Sequence, residues 1–131
     1  MRLKEHVYTR LSGGERQLVL IARALAQEAR YLLMDEPAAN LDYGNQIKML
    51  QVLQKLSLRG IGVCFTSHHP EHALWCQSEV IAMAGRDVLY IGNAKEVITK
   101  EVLEEMYGVP VTIREMSDGA GQERKILIPV F

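Results

Sequence analysis

An α/β fold built on a parallel sheet is what this sequence predicts, on three observations. Tyr31–Met34 and Ile61–Phe65 are continuous apolar runs without polar alternation, the pattern of strands buried on both faces. Each run is followed by a segment of helical periodicity. The resulting strand–helix–strand–helix rhythm joins parallel neighbours through right-handed crossovers.

The elements follow in order. Met1–Arg10 is short and mixed, and reads as the end of a helix and a turn leading into Leu11. Ser12 and Glu15 stand at capping-box spacing, where a hydroxyl bonds the third amide of a helix and the carboxylate reaches back. Helical periodicity runs from Gly13 to about Glu28, with Leu18, Ile21, Ala22 and Leu25 on one face. The first strand ends abruptly in Asp35-Glu36-Pro37. Pro37 has no amide for the ladder, and the carboxyl ends of parallel strands are where such sheets bind ligands. Asp42 suits the cap of a helix over Tyr43–Leu58, striped by Met49, Val52, Leu53 and Leu56 and ended by Gly60. After the second strand, Thr66–Pro70 turns the chain, and Pro70 suits the first position of a short helix through Trp75. Val80–Met83 and Val88–Ile91 flank Gly85-Arg86-Asp87, a hairpin signal. Asn93 and Thr99 can each cap a helix, the second carrying Val102, Leu103, Met106 and Tyr107. Val111–Ile113 and Ile126–Val130 are short strand candidates separated by the polar stretch Ser117–Arg124. No repeat, low-complexity run or linker divides the chain.

At 131 residues the chain fits one domain with a modest core. Apolar residues at 48% and charged residues at 24% are ordinary for a globular protein, and a net charge of −1 gives no reason to expect nucleic acid as partner. Cys64 and Cys76 fit a reducing compartment better than a disulfide framework. No apolar run approaches the roughly 20 residues that span a bilayer, and Met1 is followed by charged residues rather than a signal-peptide core. The expectation is a cytoplasmic protein whose membrane role, if any, goes through a partner.

Four stretches carry chemistry. Leu11-Ser12-Gly13-Gly14-Glu15-Arg16-Gln17 opens a helix with bare amides and the positive end of its dipole, a ready anion site, although S-x-x-E alone is most often an ordinary cap. Asp35 and Glu36 end a strand; alone they would be two solvated carboxylates. Asn40-Leu41-Asp42 and Thr66-Ser67-His68 follow, and a lone histidine at a strand end is more often a surface residue. Taken together, in this order and spacing, these stretches resemble the ABC ATPases over Leu11 to about Glu79. The first is similar to the signature motif, Tyr31–Pro37 to the Walker B strand with its catalytic glutamate, Asn40–Asp42 to the end of the D-loop, and His68 to the switch histidine.

The resemblance implies ATP and Mg2+ as cofactors. It implies that Asp35 holds the metal, usually through water, that Glu36 orients or deprotonates the attacking water, and that His68 contacts the γ-phosphate. Ser12, Gly13, Gly14 and Glu15 would close over ATP held by a second ATPase subunit, and Asp42 would communicate across that dimer. Ala38 and Ala39 occupy D-loop positions often held by threonine and serine, which removes hydroxyl contacts. His68, His72 and Cys76 are spaced four apart, but Pro70 starts the helix after His68, which argues against a metal site there.

A phosphate loop needs G-x-x-x-x-G-K-[ST], and no glycine in this sequence precedes a lysine. The expected fold is therefore a partial P-loop NTPase core with the Walker A half missing, a parallel sheet with flanking helices, and a C-terminal hairpin and helices. The implied organisation is a single partial nucleotide-binding domain over 1–131. Residues 1–29 end the helical subdomain with the signature helix, 30–92 hold Walker B, D-loop and switch region, and 93–131 form C-terminal helices and short strands. His68–Leu74 and Val102–Val109 resemble importers of metal chelates such as siderophores, haem, cobalamin or molybdate. Permease subunits and, indirectly, a substrate-binding protein are the implied partners, and the chain is expected on the inner face of the cell membrane and inactive alone. Two other readings stand beside this one: a non-catalytic partner lending its signature in trans, and a non-transport ABC ATPase, which would be expected to show basic surfaces or long coiled coils.

Overall fold

A computed structural model describes residues 11–86, 88–119 and 121–131. The expectation for Met1–Arg10, and Asp87 of the hairpin turn, lie outside the described residues. The chain divides into two compact units, one ending at His68 and one running from His69 to Phe131. No change of composition marks that division.

The first unit holds α1 (Gly13–Ala26), β1 (Tyr31–Met34), α2 (Tyr43–Leu58) and β2 (Gly62–Phe65). Ser12 starts α1 with a complete capping box, and Asp42 starts α2 by accepting from the Asn45 amide. Gly60, at φ +86°, takes the left-handed turn that releases the chain from α2 into β2. The strands pair in parallel, Tyr31 opposite Gly62 through Met34 opposite Phe65, with α2 as the crossover. Ile21, Leu32, Met49, Leu53 and Leu56 form the core between helices and sheet.

Burial on both strand faces does not hold. Leu32 is buried, but Tyr31 and Leu33 are 75% and 82% exposed, and Cys64 on β2 is exposed too. Successive strand residues point to opposite faces, and the core formed with α1 and α2 takes only the face that carries Leu32. Tyr31 lies across Gly62, where an added Cβ would meet the ring at 2.4 Å. A glycine there lets the ring cover the neighbouring backbone.

The second unit holds α3 (Pro70–Cys76), β3 (Glu79–Ala84), β4 (Val88–Asn93), α4 (Ala94–Val97), α5 (Lys100–Tyr107), β5 (Val111–Ser117) and β6 (Glu123–Pro129). The predicted β3–β4 hairpin is antiparallel, Ile81 opposite Ile91. Asn93 and Thr99 cap α4 and α5 through their side chains, and Gly108 at φ +68° closes α5. Both C-terminal strands are longer than expected and pair antiparallel, Val111 opposite Pro129 to Ser117 opposite Glu123. Ser117 and the polar residues Glu123 and Arg124 belong to strands rather than to the loop assigned to them. Cross-strand pairing overrides their loop-like composition, because polar side chains are tolerated on an exposed strand face. The tight turn beyond is fixed by Asp118, which accepts from the Gln122 amide and pairs with Arg124 at 3.0 Å. Leu74, Ala94, Ile98, Leu103 and Val111 form one cluster of this unit's core, and Ala82, Val97 and Val102 another.

His72 is buried in α3, its ring 4.9 Å from that of His69 and 5.5 Å from that of Trp75. Burial, then the His69 charge, hold its pKa below the ordinary 6.5. As the pH falls past that value the unfolded chain takes up a proton that the folded chain refuses, so stability must fall with pH. Urea midpoints for the second unit should drop between about pH 7 and about pH 5, and His72→Gln should flatten that slope. An unchanged slope in the variant would remove His72 as its source. In the first unit, Leu53 is 1% exposed, and Leu53→Ala should cost about 3 kcal/mol by denaturant titration. Leu20→Ala, on a side chain 46% exposed, should stay within about 0.5 kcal/mol.

Candidate functional site

Parallel pairing carries both strands to a common end. Beyond Met34 and Phe65 the Thr66 amide still donates to the Met34 carbonyl at 3.1 Å, so Thr66 sits beside the chain as it leaves β1. Its hydroxyl donates to Asp35 Oδ1 at 2.5 Å and accepts from the Glu36 amide at 3.0 Å. Glu36 adopts φ +43°, a left-handed backbone that a residue with a Cβ rarely takes without local support. Its carboxylate Oε1 lies 2.8 Å from His68 Nε2. Asp35, Glu36, Thr66 and His68 thus form one cluster at the strand ends, with the His68 side chain 80% exposed and that of Glu36 38%. Pro37 and Ala38 behind it are buried.

The second cluster is the start of α1. The Ser12 amide and hydroxyl both donate to Glu15 Oε2 at 2.9 Å, and the Glu15 amide returns a bond to the hydroxyl at 3.3 Å. Gly13 and Gly14 admit a close approach from within the chain. An added Cβ on Gly14 would meet Leu41 Cδ2 at 3.3 Å, and one on Gly13 would meet it at 3.9 Å. Leu41 is held in turn by Gln46, whose side-chain amide donates to its carbonyl at 3.0 Å. Next to it, Asp42 accepts from the Asn45 backbone and side chain at 2.9 and 2.6 Å. The Asn45 amide is the main reason the Asp42 carboxyl ionises below the ordinary 3.8.

His72 and Cys76 belong to the second unit. His68 precedes α3, which begins at Pro70, while His72 is buried and Cys76 half-buried, its thiol pushed up by burial. Among the described residues no group of three His, Cys, Asp or Glu side chains could hold a metal ion. Asp35 still fits magnesium. That ion keeps most of its waters and takes one or two carboxylates plus substrate phosphates. Sequence reasoning placed Thr66 only as a neighbour of His68 and missed its hydroxyl; the available signal was a hydroxyl at the end of the strand next to the acidic one.

Residues 1–39 match the sequence profile of the ABC transporter family. An ABC transporter ATP-binding protein of Haemophilus influenzae is 39% identical over 105 residues, 80% of this chain and 40% of its own length. The iron(3+)-hydroxamate import ATP-binding protein FhuC of Bacillus subtilis is 38% identical over 79% of this chain and 39% of its own. A solved structure described as an inward-facing conformation of a metal-chelate type ABC transporter superposes with a TM-score of 0.86 at 30% identity, over 95% of this chain and 50% of that one. The chain therefore spans half or less of the length of these relatives. Within that span both its sequence and its α/β fold match those of ABC transporter ATP-binding proteins.

Proposed function

We propose that this chain is part of the ATP-hydrolysing subunit of an importer of metal chelates, and that all 131 residues belong to one nucleotide-binding domain. The observation that carries the chemistry is the Glu36–His68 pair at 2.8 Å, beside Asp35 at the end of a parallel strand. Phosphoryl transfer asks a protein for positioning and charge neutralisation. Glu36 would orient or deprotonate the attacking water, a general-base role, and the His68 imidazole at its carboxylate would contact the γ-phosphate. Asp35 would hold magnesium through water, and the metal would supply charge neutralisation on the phosphates. The signature turn of Ser12, Gly13 and Gly14 offers amides and a helix dipole to ATP bound by a second subunit. Closing over that ATP requires Ser12 to release its proton from Glu15, and Asp42 stands beside Leu41, which backs the turn.

For the cargo, support comes from His68–Leu74 and Val102–Val109, and from the names of FhuC and of the superposed transporter. Such a subunit works beneath permease subunits at the inner face of the membrane and is linked only indirectly to a substrate-binding protein. No helix among the described residues is long and apolar enough to cross a membrane itself.

With no G-x-x-x-x-G-K-[ST] in the sequence, these residues by themselves should bind MgATP more weakly than about 1 mM and not turn it over. Calorimetric titration checks this. Tighter binding, with turnover abolished by Glu36→Gln, would overturn it. An intact signature without a phosphate loop also favours a second reading, a non-catalytic partner that lends its signature face in trans. Mixed with a complete ABC ATPase disabled in its own signature, the chain should then restore turnover. Gly14→Asp should cut that rescue on the order of 100-fold, because it sets a negative charge against the phosphates. Absence of any rescue eliminates that reading.

A further inference from the structure

We propose that Thr66 is a positioning residue for the acidic pair, its single hydroxyl fixing both the Asp35 carboxylate and the backbone turn that presents Glu36. This rests on the ATPase reading above. A hydroxyl has one proton and two lone pairs. Here the proton goes to Asp35 Oδ1 at 2.5 Å and a lone pair takes the Glu36 amide at 3.0 Å, so one side chain orients two residues at once. Asp35 Oδ1 takes that proton, and the remaining lone pairs of the carboxylate would serve a metal-bound water. Glu36 is the residue that most needs such a tie. Its φ of +43° is unfavourable for a side-chain-bearing residue, and in that backbone its carboxylate reaches His68 Nε2 at 2.8 Å.

Threonine suits the task better than a longer polar residue. Its β-branch restricts χ1, so the hydroxyl is set by the strand and loses little freedom on bonding. The hydroxyl is also dispensable to the sheet. The Thr66 amide to the Met34 carbonyl at 3.1 Å, and the Gly62 amide to the Arg30 carbonyl at 2.9 Å, hold the ends of the ladder through backbone alone. Removing the hydroxyl while keeping the shape of the side chain therefore addresses the acidic pair and not the strand pairing.

The test compares the wild-type chain with Thr66→Val, which keeps the volume, and Thr66→Ser, which keeps the hydroxyl. Amide hydrogen exchange by NMR on the whole chain should show the Glu36 amide exchanging about tenfold faster in Thr66→Val and near wild type in Thr66→Ser. The amides of Gly62 and Thr66 should be unchanged in both. In a transporter assembled with this chain, Thr66→Val should lower kcat about tenfold with KM for MgATP within about twofold, and Thr66→Ser should restore kcat. An unaltered Glu36 amide in Thr66→Val, equal loosening of Gly62 and Thr66, or a change in KM alone would overturn the proposal. If the wild-type chain supports no turnover in any assembly, the ATPase reading falls, and the exchange measurement still decides whether Thr66 holds Glu36.

Discussion

The pairing of β1 with β2 in one parallel register is the constraint on which the candidate site depends. With Tyr31 opposite Gly62, Met34 falls opposite Phe65, and the residue that follows β2 is Thr66. Side-chain direction alternates along a strand, so a slip by one residue would turn Leu32 out of the core and carry Thr66 away from Asp35. Leu32, packed with Leu53 and Met49, therefore does more than fill space. Burial of about one leucine side chain, worth roughly 2 kcal/mol, selects the register that brings a hydroxyl to two acidic residues.

Much of this was readable in the residues because local chemistry and tertiary structure agree. Ser12, Asp42, Asn93 and Thr99 each carry an oxygen that can satisfy an amide orphaned at a helix start, and each does so. The apolar runs gave β1 and β2, and Pro37 and Pro70 gave a stop and a start. What sequence could not give is which face of a strand is covered. Tyr31-Leu32-Leu33-Met34 has no polar alternation, yet Tyr31 and Leu33 are exposed. Hydrophobicity records that a face can be buried, not what lies against it. The C-terminal strands failed in the opposite sense. Ser117, Glu123 and Arg124 look like loop residues, but their backbone bonds are made in the ladder.

The D-loop shows how a departure from the family pattern fits its surroundings. Ala38 is only 3% exposed. A hydroxyl at that position would have to find a partner or lose its hydration, at a cost of about 1–3 kcal/mol. Alanine avoids that requirement. Leu41 shows a similar division. It is apolar, and it fixes the height of the glycine turn by contact while its neighbour Asp42 spends its carboxylate on Asn45.

The exposure of His68 sets a limit on what the Glu36–His68 pair can do alone. A pair this open to water is worth about 0–1 kcal/mol, too little to impose a strained backbone on Glu36. The causal order must run the other way. Backbone pairing and the Thr66 hydroxyl hold Glu36 in its left-handed turn, and the contact with His68 follows from that placement. Displacing water would strengthen the hydrogen bond between the two side chains and would also carry a desolvation cost. A surface that covers the strand ends would supply that change. On the proposed ATPase reading, a signature face lent by a second subunit would do so only when nucleotide bridges the two, so the desolvated pair would form only where a phosphate is there to be cleaved.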